Sequence, residues 1–476
     1  MRYTHILLSK SIVLLLLIVV SACDFGDTNV NPSALTDAPV NLILPAAELQ
    51  SARNMGSIGA RVTGVVIQHF VGTTFQPRDY TTYLIDENSL DDYWRTGLYA
   101  GAMKDCIIII EKGSDQNIPH YTGIARILLA MNLGIATTFW GDVPYSEAFQ
   151  GQEKFQVPYD DQESIYASIQ DLLDDAILEL NLPPGDLKPG KDDHIFEGNP
   201  AEWIGTARAL KARYYMHLSK RDSVTAATNA LAALTGGTIY SNDVEPAFLF
   251  GEAANEAHPI AFFGAERANQ LFVGGFILNL LDANNDPRKP LYARPAGTNT
   301  YALYVKGDNI DNEVDLFWGQ NDSPMPLISY SELLFLRAEA NLYLGNYPEA
   351  KDLYEDAIEA NMKRVGVADA DIQTYITARG DLSALTPKQQ QQRIIEQKYI
   401  AMFGQGTLEA WVDYRRTGFP LINPPGNVSA SFNPSKVIPR RYLYPISERT
   451  TNGINRDAAI EKQGGHLQDN TLWAFQ

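Results

Sequence analysis

After residue 46, apolar positions recur through most of the chain at steps of three and four, the spacing that lines them up on one face of a helix. Ile165, Ile169, Leu172, Leu173, Ala176, Ile177 and Leu180 make one such stripe. Asp160 and Glu163 stand before it at capping-box spacing, and Pro183-Pro184-Gly185 ends it. Trp203, Ala207, Leu210, Tyr214 and Leu218 make a second stripe, opening after Asn199-Pro200. Leu333, Leu336, Ala340, Tyr343 and Leu344 make a third. The helical period fades over residues 235–330 and again over 418–476, where Gly, Asn, Asp, Pro and aromatic residues accumulate. The pattern predicts a mainly all-α fold with two loop-rich stretches, and irregular segments on a rigid scaffold are where binding residues usually sit.

The chain's N-terminus follows a different pattern. Arg2 and Lys10 precede an apolar run from Ile12 to Val20, and Val20-Ser21-Ala22-Cys23 closes it with small residues. These are the three parts of a secretory signal. The run is shorter than the roughly 20 residues that span a bilayer, and no later stretch reads as a membrane helix. V-S-A-C resembles the bacterial lipobox, which implies cleavage before Cys23 and lipid attachment to its sulfur. The expected organisation is a signal peptide at 1–22, a lipidated tether at 23–45 and a single domain at 46–476. Asp24 and Asp27, close behind the anchor, resemble a surface-export signal.

Composition narrows the class. Hydrophobic content of 45% with 20% charged residues fits a globular protein with a sizeable core. A formal charge of −19 repels nucleic acid phosphates and argues against an electrostatic membrane binder. With Cys23 lipidated, Cys106 is the remaining cysteine; it cannot form an internal disulfide, and its K-D-C-I-I-I-I setting predicts a buried, inert thiol.

Catalytic motifs such as H-E-x-x-H, G-x-S-x-G, the P-loop and G-x-G-x-x-G are absent, so no catalytic residue, metal or cofactor is assigned. His217, at the end of a stripe, reads as a packed or capping histidine. Asp282-x-Asn284-x-Asp286 opens like a calcium loop, but Pro287 and Ala293 replace the Gly and Glu that complete one, so it reads as a turn. Asp308, Asp311 and Glu313 are a similarly weak hint. The aromatic residues say more. Phe75, Tyr80, Tyr83, Tyr93 and Trp94 share a stretch with Arg78, Asp79 and Asn88, and Tyr292, Tyr301, Tyr304 and Trp318 share another. Aromatic faces suit the C–H faces of sugar rings, and neighbouring Arg, Asn and Asp suit hydroxyl groups. Arg78, Tyr80, Tyr83, Tyr93, Trp94, Tyr292, Tyr301, Tyr304 and Trp318 are therefore the candidate ligand-binding residues, with core packing as the competing role.

Residues 338–360, A-E-A-N-L-Y-L-G-N-Y-P-E-A-K-D-L-Y-E-D-A-I-E-A, resemble a tetratricopeptide helix pair, clearest over 331–364, with Gly345 in the turn. One such pair cannot bury its own apolar face, so partner pairs are expected. Around it, N-V-N-P-S-A-L-T-D-A-P (29–39), F-W-G-D-V-P-Y-S-E-A (139–148), N-D-P-R (285–288) and P-L-I-S-Y-S-E-L-L-F-L-R-A-E-A (326–340) occur in order. I-I-E-Q-K-Y-I-A-M-F-G-Q-G-T-L-E-A-W-V-D-Y-R-R-T-G (394–418), R-Y-L-Y-P-I-S-E (441–448) and G-G-H-L-Q-D-N-T-L-W (464–473) follow. Together they resemble the SusD/RagB family of outer-membrane nutrient-binding lipoproteins.

That resemblance implies a scaffold of four tetratricopeptide-like helix pairs with a variable, loop-rich ligand-binding part, and no catalysis. It implies a lipid-anchored protein facing outward from the outer membrane. Such a protein binds starch, another glycan or another nutrient oligomer and passes it to a SusC-like TonB-dependent transporter. A surface glycoside hydrolase on a helical scaffold and a protein-only tetratricopeptide scaffold are the alternatives. The chain's acidity disfavours anionic polymers as ligands unless local arginines override it.

Overall fold

The computed structural model describes residues 38–151, 154–267, 269–297, 300–302 and 319–476. The signal segment, Cys23, most of the tether, Tyr304, Trp318 and the Asp308, Asp311 and Glu313 group lie outside these residues.

The first helix among the described residues, α1 (Val40–Gly56), begins inside the expected tether, six residues before Ala46. Pro45 sits within it and obscures the period in the sequence. Val40, Ile43, Leu44 and Ala47 are nevertheless buried on one face, and that burial holds the early turns in the fold. After α2 (Ile58–Val66), β1 (Phe70–Gly72) and α3 (Phe75–Thr81), a π-helical segment (Tyr93–Met103) runs into α4 (Lys104–Gly113). Cys106 is buried there, and desolvation pushes its thiol up, away from reactivity.

The scaffold is a succession of packed helix pairs. α5 (Pro119–Trp140) packs on α6 (Gln162–Leu180), and α7 (Pro200–His217) on α8 (Ser223–Ala233). α5 is long and apolar enough to cross a membrane, contrary to the sequence expectation, but 94% of its apolar window is buried, so it is the core helix. α6 buries Ile165, Ile169, Leu172, Leu173, Ala176 and Leu180, the face that periodicity marks, while Ile177 is only partly covered. Asp160 does not cap this helix; its carboxylate accepts from the backbone N–H groups of Tyr145 and Ser146, both at 2.8 Å. Asn199 does cap α7, accepting from Ala201 N at 3.1 Å, with Pro200 in the first turn where its missing N–H costs nothing.

Short strands tie the first loop-rich stretch to this scaffold. β2 (Ala247–Phe248) follows α8, and α9 (Pro259–Glu266) precedes β3 (Leu271–Val273). α10 (Gly275–Asn284) and the short α11 (Lys289–Tyr292) lead to β4 (Arg294–Gly297), β5 (Thr300–Ala302) and β6 (Met325–Pro326). β1, β3, β5 and β4 form one antiparallel sheet in that order, and β2 pairs with β6. The Asp282–Asp286 stretch is a helix end and turn. Asn285 adopts the left-handed conformation that closes α10, and Asp286 is buried in an ion pair with Arg288 at 2.6 Å. Arg288 also donates to Asn361 and Gln397, both at 2.7 Å.

The C-terminal helices continue the pairing. α12 (Tyr330–Tyr343) and α13 (Tyr347–Arg364) pack together across a turn where Gly345 takes φ +78°, a conformation glycine adopts without strain. α14 (Asp369–Arg379), α15 (Pro387–Ala401) and α16 (Thr407–Thr417) follow, and α12 packs on both α8 and α15. Buried ion pairs bolt the layers to one another. Arg213 on α7 makes a two-pronged bond to Glu332 on α12, both at 2.7 Å. His217 contacts Glu409 on α16 at 2.8 Å, as a packed histidine. Burial raises the Glu409 carboxyl, but His217 and Arg213 outweigh it and hold the group far below the usual carboxylate range. Arg416 on α16 pairs with Glu339 on α12 and with Asp413. Residues 40–476 thus form one compact unit.

Candidate ligand-binding cleft

The segment after β1 is built under unusual constraint. Gly72 lies so close to the next helix that an added Cβ would stand 1.9 Å from the Pro77 carbonyl oxygen. Its N–H donates to Thr81 Oγ1 at 2.8 Å. Thr73 is tied to the loop before β3, its N–H donating to Gln270 O at 3.0 Å and its hydroxyl to Asn269 O at 2.7 Å. Between these anchors Phe75 starts α3 with φ +51°, the left-handed region that bulky residues avoid, and it is 76% exposed. Strain and lost apolar burial in one residue are a combination that tertiary structure tolerates mostly at functional positions.

Phe75 lines a cleft of about 770 Å³, within the range of small-molecule sites. α9 supplies a second wall with Phe262, 46% exposed, and Phe263. His258 holds the start of α9 by accepting from Ile260 N at 3.2 Å. Burial pushes that imidazole down to about 3, so it stays neutral and keeps its acceptor. The ends of α1 and α2 supply Arg53 and Arg61, and the loop after α9 supplies Arg267 and Gln270. The Arg61 guanidinium lies 4.1 Å from the Phe263 ring centroid, a cation–π stack that fixes both groups. Burial lowers Arg61, Tyr80 opposes this, and the neighbouring Arg267 lowers it further, to about 10. Among the described residues, Glu266 is the one carboxylate in the lining. Aromatic faces flanked by guanidinium and amide donors make a surface for stacking and hydrogen bonding.

A family model described as "Starch-binding associating with outer membrane" matches residues 31–445. The chain belongs to the SusD-like family. Its fold is shared with a SusD-like protein of Bacteroidetes AC2a (24% identity, TM-score 0.78, covering 92% of this chain and 100% of that one). It is shared with a SusD/RagB family protein of Bacteroides thetaiotaomicron (22%, TM-score 0.74, 92% and 99%). A chitin-binding SusD homologue of Flavobacterium johnsoniae is similar as well (20%, TM-score 0.75, 91% and 98%). No curated protein matches the chain.

Against this SusD-like frame, the aromatic residues expected to meet ligand divide. Tyr80, Tyr83, Tyr93, Trp94 and Tyr292 are between 1% and 4% exposed and offer no face to solvent. They are core residues, and the surface-stacking role does not hold for them. Tyr93 donates to Asn54 O at 2.7 Å, and Trp94 packs edge-on against Trp140 at 4.8 Å. Tyr83 donates to Val66 O at 3.3 Å, and the Tyr292 ring lies 4.9 Å from Phe403. Arg78 is exposed three positions beyond Phe75 on α3. Tyr301 lies on β5 opposite Pro295 of β4, in the sheet that contains β1. That sheet joins the two aromatic stretches that the sequence displays separately. Phe262, Phe263, Arg53, Arg61 and Arg267 escape sequence reading. The paired rings in A-F-F-G-A-E-R, inside the loop-rich 235–330 stretch, are the one signal that points to them.

Proposed function

We propose that this SusD-like chain is a non-catalytic binding protein of the outer membrane that captures a glycan in the Phe75 cleft. The observation that carries the reading is Phe75 itself, a strained ring left exposed beside Phe262 and Phe263 in a cleft of sugar-ring dimensions. Stacking on such rings contributes without selecting a single hydroxyl pattern, and the surrounding Arg, Gln and Asn side chains supply orientation. The family description and the chitin-binding relative support carbohydrate as the ligand class.

In this reading Cys23 carries the lipid, the protein faces outward, and the bound oligomer passes to a SusC-like TonB-dependent barrel. The deciding experiment is calorimetry of the full chain in detergent with malto-, chito- and uronate oligosaccharides. At least one class binds without product release, and Phe75→Ala weakens it by about tenfold or more, the range expected for one lost stacking ring. Release of shortened sugars, or binding indifferent to Phe75→Ala, overturns the assignment.

A further inference from the structure

Elsewhere many less exposed arginines of this protein have a carboxylate partner, and the buried Arg415 and Arg441 lie over aromatic rings instead. Arg126, Arg213, Arg288, Arg364, Arg416 and Arg456 all have a carboxylate. That is the expected outcome in a chain with 57 acidic and 38 basic residues. The cleft differs in gathering three arginines into one cavity. Arg53, Arg61 and Arg267 line it, and none of them forms an ion pair among the described residues. Arg61 is stacked on Phe263, and its Nε is buried with no hydrogen-bond partner. Its charged neighbour is a second arginine, and the two guanidinium groups repel. A neutral ligand leaves that repulsion in place, whereas an anionic group relieves it and satisfies fork-shaped donors suited to planar anions.

We propose that the cleft selects oligosaccharides bearing an anionic substituent, a uronate carboxylate or a sulfate ester, held by Arg61, Arg267 and Arg53. This rests on the glycan reading of the same cleft and names its ligand class. The chain's overall charge of −19 does not prevent it. Charges farther away than about 8 Å are largely screened at physiological salt, while the guanidinium groups act at contact distance.

The test is titration of the full chain with oligogalacturonate, a sulfated glycosaminoglycan fragment, maltoheptaose and chitohexaose, at low and high salt. The anionic oligomers bind at least about tenfold more tightly than the neutral ones, and that advantage shrinks as salt rises. Which anionic oligomer binds better identifies carboxylate or sulfate. Arg61→Gln and, separately, the exposed Arg267→Gln each remove most of the advantage. Arg208→Gln, at a surface arginine bound to the Gly236 and Gly237 carbonyls, leaves it intact. If a neutral oligosaccharide binds as well as the anionic ones and ignores both substitutions, the anionic preference is wrong and the glycan reading stands. If none of the four binds, the glycan reading falls with it.

Discussion

At Phe75, one residue carries both strain and exposure, and the two can be separated by substitution. Phe75→Ala and Phe75→Gly remove the same ring, but only glycine adopts φ +51° without a steric penalty. The glycine form is expected to be the more stable by about 1 kcal/mol in chemical denaturation, with ligand affinity equally lost in both. Glu48 is a second residue with a separable cost. It is buried on α1 beside Asp193, and its Oε1 has no partner. Desolvation, then repulsion from Asp193, raises its carboxyl well above the ordinary 4.5. The folded protein therefore holds this proton more tightly than the unfolded chain does. Its contribution to stability is complete below about pH 4.5 and is lost as pH climbs toward the raised folded value. Glu48→Gln, which keeps a donor without the charge, should flatten that part of the stability–pH curve. Denaturation midpoints at pH 5 and pH 8 check it, and an unchanged slope rejects it.

Between elements, the buried ion pairs and the glycine contacts set the geometry. Glu332 and Glu339 belong to the S-E-L-L-F-L-R-A-E run, and their partners, Arg213 and Arg416, are distant in sequence. Removing one partner strands a charge in the core. Glu339→Ala should cost about 3–5 kcal/mol, whereas replacing Glu339, Asp413, Arg416 and Lys398, which also pairs with Asp413, together with apolar residues of matching volume should cost much less. Urea unfolding of the single and quadruple variants distinguishes these outcomes. At the cleft, Gly72→Ala forces a Cβ into the Pro77 carbonyl. Because α3 must then shift, the substitution should destabilise by about 1–3 kcal/mol and weaken ligand binding though Phe75 itself is unchanged.

For the molecule as a whole, ligand capture and transporter docking are expected to be separable. The cleft is formed by the ends of α1 and α2, α3 and α9, whereas the stacked pairs from α5 to α16 present extended helix surfaces. A pull-down of the lipidated protein from its native outer membrane should bring down a TonB-dependent barrel. Phe75→Ala should leave that recovery unchanged while weakening ligand retention. Recovery lost together with the ligand would tie the two functions to one surface.

Much of this fold was legible because helical burial is written locally. The Ile165–Leu180 stripe, the Asn199 cap and the Gly345 turn each depend on residues a few positions apart, and hydrophobic spacing or backbone freedom predicts them directly. The ordered motifs marked the family for a related reason, since each is a contiguous run of residues. The ligand-binding surface was not local. Tyr93 and Trp94 read like a sugar platform in sequence, yet tertiary packing turned them inward against Asn54 and Trp140. Arg61 and Phe75 come from neighbouring helices and Phe263 from a distant segment, and they meet only when β1 pairs with β3 and α9 folds against the scaffold. An aromatic residue lowers its free energy equally well by burial in a core or by stacking on a ligand, so its identity does not choose between them. Long-range packing made that choice here, burying Tyr80 and leaving Phe75 exposed in a conformation that its own backbone disfavours.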